Sequence, residues 1–251
     1  MTALMSLDAK LRLARIIVVT GSLGGGDAFA SHVCGLLEAG ADIIQLRDPQ
    51  VPPSVLREAF EMAQAIALAH NSSVAVTSDV ELAKDCDADL LVLPAKSIDP
   101  SLAHAKLHPH ALVGRSVHDD AGLATAAADH EINFALVGPV YLPAGAPFAA
   151  PGLDLVRQAA EHMPVADIRG TPWFATGGID PATVNEVIEA GARRVSIAVD
   201  SSDDAAAVKQ LADALRLAWV QDPTLKDFAF GVFGMGSPSH ALRKAPKPSA
   251  W

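Results

Sequence analysis

The sequence has few cysteines and no pattern of metal-binding ones. Only Cys34 and Cys86 occur among 251 residues, and neither has a zinc-type spacing of cysteine or histidine around it. A disulfide framework and a structural zinc site are therefore not expected. Cysteine usage of this kind fits a reducing compartment, and we expect a cytoplasmic protein.

Basic residues are in the minority, and long apolar runs are absent. Nineteen Lys and Arg face 29 Asp and Glu, which gives a formal net charge of −10. Nucleic acids and anionic membranes attract basic surfaces, so we expect neither as a partner. No apolar stretch approaches the roughly 20 residues of a membrane span, and no secretory signal is recognisable. A small anionic ligand is compatible with this charge if backbone dipoles and one or two cations hold it.

What the sequence does contain is a repeat of apolar runs and helical patterns. Eight short runs, rich in β-branched residues and leucine, each precede a helical pattern. Such alternation predicts a parallel sheet covered by helices, and eight units close a (β/α)8 TIM barrel. We assign the barrel to residues 1–219. The predicted strands are 15–20, 41–46, 74–77, 88–93, 111–117, 132–137, 172–176 and 193–199.

The composition changes after the last predicted helix. Residues 220–251 are rich in Pro, Gly and Ser, and no helical or strand period persists there. We interpret this segment as a C-terminal extension and expect residues 244–251 to be disordered. Phe228, Phe230 and Phe233 are candidates to cover the barrel or a second subunit, so a homodimer stays open.

One histidine follows a predicted strand directly. His118 comes after the fifth run, and TIM barrels place their chemistry at the carboxyl ends of their strands. Near neutral pH an imidazole can accept a proton and return it. We therefore interpret His118 as a candidate catalytic acid and base. A solvated turn histidine is the alternative.

The seventh and eighth predicted strands are each followed by residues that could bind a phosphate. Gly177 and Gly178 allow backbone N–H groups to approach a ligand, and Ser201 and Ser202 follow the eighth strand. These four residues are the predicted phosphate site. A plain left-handed turn is the alternative for the glycines. Asp200 would repel a phosphate unless its side chain points away.

Other polar residues at strand ends are candidates to bind substrate. The guanidinium of Arg47 could clamp a carboxylate or a phosphate, or pair with Asp48 or Asp79. Asp79 could cap the following helix or bind a cation, and capping is the more frequent role of such a residue. The predicted substrate-binding residues are Gln45, Arg47, Ser116, Gly138 and Thr176.

Over roughly residues 15–217 the sequence resembles the thiamin phosphate synthase and TenI superfamily. The order and spacing of six motifs carry the resemblance, and it implies a TIM barrel that binds a small phosphorylated thiazole. The motifs are IIQLRD (43–48), TSDVELA (77–83), GRSVHD (114–119), VGPVY (137–141), ATGGI (175–179) and EAGARRVSIA (189–198).

Several positions depart from the synthase pattern of that superfamily. Pro49 stands where the synthases have a lysine, and Ser78 where they have an asparagine. Residues 92–95 replace a His-Leu-Gly-Gln stretch, and residues 142–148 replace a loop rich in threonine that ends in lysine. Without these groups a departing pyrophosphate would be poorly neutralised. These departures favour the TenI branch over the synthases.

The GRSVH motif, with Leu93 and Pro94, is similar to the TenI branch, whose members aromatise a thiazole phosphate carboxylate. The resemblance implies that His118 moves the proton, that the paired glycines hold the phosphate and that Arg47 binds the carboxylate, with no metal or cofactor. The expected activity is thus that of a thiazole tautomerase, an isomerase.

Two other interpretations stay open. One is a thiamin phosphate synthase with an altered pyrophosphate site, which would use Mg²⁺ with Asp79 as a ligand. The other is a relative that binds the ligand without catalysis.

Overall fold

A closed barrel of eight parallel strands forms the centre of the molecule. The computed structural model describes residues 6–142, 146–147, 149–199 and 204–234. Each strand pairs with the next one in the chain, and the eighth pairs with the first, so the expected TIM barrel is confirmed. The strands are β1 (Ile16–Thr20), β2 (Ile43–Leu46), β3 (Ser73–Thr77), β4 (Leu90–Leu93), β5 (Leu112–Val117), β6 (Phe134–Val137), β7 (Trp173–Thr176) and β8 (Val195–Ala198).

Helices surround the barrel, and the strand residues alternate between two apolar layers. Val18 and Ile44 face the helices, whereas Ile17 and Ile43 belong to the barrel interior. None of the described helices is long and apolar enough to cross a membrane. They are α1 (Leu7–Leu13), α2 (Gly26–Glu38), α3 (Pro53–Ala69), α4 (Val80–Asp85), α5 (Pro100–His104), α6 (Asp120–Ala128), α7 (Gly152–His162), α8 (Val184–Glu189), α9 (Ala205–Gln221) and α10 (Phe228–Gly234).

Helix α1 precedes the first strand and has no counterpart among the predicted elements. Ser6 caps it by accepting a hydrogen bond from the Ala9 N–H, and Arg12 pairs with Asp8 at 2.9 Å. Leu11 packs among the interior residues at the amino-terminal end of the strands. Helix α1 therefore closes the end of the barrel opposite the predicted site.

The first part of the predicted extension is ordered structure. Helix α9 runs through the predicted boundary at residues 219 and 220, and a 3₁₀ turn (Pro223–Leu225) and α10 follow. Phe228 is buried beside Trp219, with ring centroids 5.4 Å apart. Leu225, Phe228 and Val232 pack in one apolar cluster with Ala9 of α1, and these contacts override the weak helical period of the segment. The side chains of Phe230 and Phe233, and residues 244–251 with their expected disorder, lie outside the described part of the structure.

Candidate functional site

A cavity of about 360 Å³ opens at the carboxyl ends of the strands. Its floor is formed by inward-facing strand residues, and its rim by residues that follow β2, β3, β4, β5 and β7. Seven of the predicted site residues line it, so the structure brings most of the predicted site together. They are Gln45, Arg47, Ser116, His118, Thr176, Gly177 and Gly178.

The fixed imidazole of His118 lies at the edge of this cavity. Its Nδ1–H donates a hydrogen bond to the carbonyl oxygen of Gly138, the first residue after β6. Gly138, a predicted substrate-binding residue, thus orients the His118 ring and does not line the cavity itself. Because the carbonyl fixes the proton on Nδ1, the neutral ring presents Nε2 as an acceptor.

The paired glycines make a turn that only glycine can form here. Gly177 and Gly178 have φ values of 96° and 63°. A Cβ on Gly177 would lie 2.5 Å from Pro139, and one on Gly178 would lie 2.8 Å from Tyr141. The two loops are joined by a hydrogen bond from the Tyr141 N–H to the Gly177 carbonyl. The glycine N–H groups donate to no backbone acceptor in the described residues, so they are available to an anion.

Two buried polar atoms on the floor of the cavity have no partner. Gln45 donates from Nε2 to the Thr77 hydroxyl at 2.9 Å, but its Oε1 accepts nothing from the described residues. The Ser196 hydroxyl is also unpaired, and the residue is only 1% exposed. The sequence analysis missed Ser196. The strand alternation in β8, which puts Ser196 on the same face as Ala198, was the available signal.

Arg47 is the cation of the cavity wall. It is exposed, and its guanidinium makes no ion pair or hydrogen bond with any described residue, whereas its backbone N–H donates to the Thr20 carbonyl oxygen at 3.0 Å. The neighbouring Asp48 accepts hydrogen bonds from the Ser22 N–H and hydroxyl, and these bonds lower the pKa of that carboxyl. Ion pairing of Arg47 with Asp48 or Asp79, the alternative interpretation, is therefore not observed.

Asp79 caps helix α4. Its Oδ1 accepts a hydrogen bond from the Leu82 N–H at 2.9 Å, so the capping role is confirmed. Its second oxygen, Oδ2, has no partner among the described residues. No group of three or more His, Cys, Asp or Glu residues in the described part of the chain could hold a metal ion by itself.

Part of the predicted site lies outside the described residues. Ser201, Ser202 and Asp200 belong to this part, and so do residues 143–145 and 148 of the loop after β6. The contribution of the two serines to a phosphate site stays a prediction.

Known proteins similar to this chain include many synthases. A family model described as thiamine monophosphate synthase matches residues 16–200. A thiamine-phosphate synthase of Mycobacterium sp. (strain KMS) is 38% identical over 222 residues, which cover 83% of this chain and 96% of that protein. The thiamine-phosphate synthase of Saccharopolyspora erythraea is 34% identical over 206 residues, covering 79% and 91%.

A solved structure shares the fold. The thiamine phosphate pyrophosphorylase from Pyrococcus furiosus superposes with a TM-score of 0.68 at 23% identity, covering 85% of this chain and 99% of that one. At this identity the likeness supports the barrel architecture alone.

These comparisons overturn one expectation. The tautomerase assignment, and with it the isomerase class, is wrong, because the relatives at 34–38% identity are synthases. The differences at Pro49, Ser78 and residues 92–95 do not exclude synthase activity, because Arg47 and the paired glycines, which could neutralise an anion, line the same cavity. The matched span and these identities show that the chain belongs to the thiamine monophosphate synthase family.

Proposed function

We propose that this chain is a thiamine-phosphate synthase, a transferase that joins a pyrimidine pyrophosphate to a thiazole phosphate. One observation carries the proposal: relatives that are 34–38% identical over more than nine-tenths of their own length are thiamine-phosphate synthases. The cavity supports it, because phosphate donors, a cation and unpaired polar atoms surround one space.

The reaction forms a bond between the thiazole nitrogen and the methylene carbon of the pyrimidine. The bond from that carbon to the pyrophosphate oxygen breaks, and its electron pair leaves with the pyrophosphate. The N–H groups of Gly177 and Gly178 would bind the thiazole phosphate. Arg47 would stabilise the negative charge of the leaving pyrophosphate. His118 would contact a substrate through Nε2, with Ser116 and Thr176 beside it in the cavity wall.

Magnesium is the cofactor that the family implies. Mg²⁺ binds oxygen ligands and often uses one or two carboxylates together with substrate phosphates. The unpaired Oδ2 of Asp79, beside the cavity-lining Ser78, fits this role. When bound, the ion would supply positive charge next to the pyrophosphate.

A direct assay tests the proposal. Purified protein is incubated with both substrates, with MgCl₂ or with EDTA, and thiamine phosphate is measured by conversion to fluorescent thiochrome phosphate. We expect magnesium-dependent product formation. Arg47→Ala should lower kcat/KM for the pyrimidine pyrophosphate by at least about tenfold, whereas Arg157→Ala, on the exposed surface of α7, should match the wild type. Absence of product at millimolar substrate and Mg²⁺ would refute the assignment.

A further inference from the structure

Tyr141, the only tyrosine of the sequence, connects the loop after β6 to the turn of the paired glycines and to α8. Its backbone N–H donates to the Gly177 carbonyl oxygen at 2.9 Å. Its hydroxyl donates to the carboxylate of Glu186 in α8 at 2.8 Å. Both hydrogen bonds therefore tie this loop to the stretch of chain that forms the turn and leads into α8.

The side chain of Tyr141 packs directly against the second glycine of the turn. A Cβ on Gly178 would lie 2.8 Å from the Tyr141 Cβ and 2.9 Å from the Tyr141 carbonyl oxygen. Packing this close leaves the backbone of the turn little room to shift. From this contact the side chain reaches Glu186, so Tyr141 bridges the segment between Gly178 and α8.

The environment of the Tyr141 hydroxyl keeps it a hydrogen-bond donor. Burial, followed by the hydrogen bond to Glu186, raises the pKa of Tyr141 to about 12. The hydroxyl therefore holds its proton throughout the neutral range. A hydrogen bond to a carboxylate is also stronger than one between neutral groups, which suits this bond to fix the position of a loop.

We infer that Tyr141 is a positioning residue, whose hydrogen bond to Glu186 holds the turn of Gly177 and Gly178 in the conformation that directs its N–H groups at the thiazole phosphate. The inference rests on the proposed function, in which these N–H groups bind that phosphate. Tyr141 is not among the residues that line the cavity. Its effect on the substrate is therefore transmitted through the turn.

The first test separates KM from kcat. Tyr141→Phe keeps the ring against Gly178 and removes only the hydroxyl. KM for the thiazole phosphate should rise about three- to tenfold, as the loss of one hydrogen bond predicts. We expect kcat and KM for the pyrimidine pyrophosphate to stay within about twofold of wild type. An unchanged KM for the thiazole phosphate, or an equal rise in both KM values, would overturn the inference.

Substitutions at Glu186 test the same bond from its acceptor. Glu186→Ala should reproduce the effect of Tyr141→Phe, whereas Glu186→Gln keeps an accepting oxygen and should retain most of the wild-type affinity. The double variant with Tyr141→Phe should be no weaker than either single variant, because each removes one shared bond. Glu189→Ala, at an exposed position of the same helix, is the matched control. Additive effects, or equal effects of Glu186→Ala and Glu189→Ala, would contradict the role of the bond.

Measurements without turnover separate this inference from the proposed function. In calorimetric titration with the thiazole phosphate alone, weaker binding to Tyr141→Phe and Glu186→Ala than to wild type and Glu189→Ala supports the inference even if no thiamine phosphate is formed. Ultraviolet titration of the single tyrosine checks the bond itself, since Glu186→Ala should lower its pKa from about 12. Equal binding by all of these proteins, no binding to any of them, or an unchanged tyrosine pKa counts against the inference.

Discussion

Gly177 belongs both to a tightly packed loop and to the proposed phosphate site. It adopts φ 96°, and its missing Cβ makes room for Pro139. Gly177→Ala should destabilise the fold by about 1–3 kcal/mol and raise KM for the thiazole phosphate by at least about tenfold as the donor N–H groups shift. Steady-state kinetics and thermal unfolding measure both effects. Gly35→Ala, within α2 and with open space around it, should be neutral or slightly stabilising. Equal behaviour of the two variants would contradict this account of the turn.

A substitution at Asp79 separates its helix cap from its proposed role in metal binding. Asparagine caps helices about as well as aspartate, so Asp79→Asn should keep the thermal stability of the protein. The loss of charge should raise the Mg²⁺ concentration for half-maximal activity about tenfold. Asp129→Asn is the matched control. Asp129 also accepts a hydrogen bond from a backbone N–H, that of Glu131, but it lies at the opposite end of the barrel. If both variants show the wild-type Mg²⁺ requirement, Asp79 is not a ligand.

For individual residues, the sequence predicted which ones line the cavity but not which reaction the protein catalyses. His118, Arg47 and the paired glycines were located because parallel strands in a barrel bring their carboxyl ends to one rim. Ser196 was missed because a serine within an apolar strand gives no sign that its hydroxyl lacks a partner. The tautomerase assignment was wrong because the differences at Pro49, Ser78 and residues 92–95 each show only that one contact is absent.

The packing between strands β5 and β6 requires a glycine at position 114. A Cβ on Gly114 would lie 2.3 Å from the Phe134 ring, which fills the barrel interior and packs edge-on against Phe174. Gly114→Ala should therefore cost about 1–3 kcal/mol through overpacking. Combining it with Phe134→Leu should restore part of this loss, because the smaller side chain vacates the space. Chemical denaturation of the two single variants and the double variant gives the coupling energy. Additive effects would show that the two sites do not interact.

The elements themselves were largely predictable, and their ends were not. All eight strands follow from apolar runs, but most are shorter than predicted because residues such as Asp42 belong to the connecting turns. The Asp42 carboxylate accepts hydrogen bonds from the Arg15 and Ile16 N–H groups. This contact between distant segments is invisible to a local pattern. Helix α1 was missed for a related reason, since its stability comes from closing the barrel.

The folded molecule includes part of residues 220–251, which the composition predicted to be a separate extension. Arg194 is fully buried, and its guanidinium lies 5.2 Å from the Trp219 ring and 5.7 Å from that of Phe228. Phe228→Ala should reduce the free energy of unfolding by about 3 kcal/mol, because it removes a buried ring and uncovers a cation. Leu217→Ala, an exposed apolar position of α9, should change it by less than about 0.5 kcal/mol. Equal unfolding midpoints for the two variants would show that α10 contributes nothing to the core.

The central claim is that one cavity joins two phosphorylated substrates with loss of pyrophosphate. Phosphorus-31 NMR of wild-type protein with equimolar substrates and Mg²⁺ tests it most directly, because substrate pyrophosphate ester, free pyrophosphate and phosphate monoester give separate signals. We predict that one equivalent of free pyrophosphate appears for each equivalent of thiamine phosphate formed. Spectra in which the pyrophosphate ester stays intact, with active protein from a known relative as the positive control, would contradict the account.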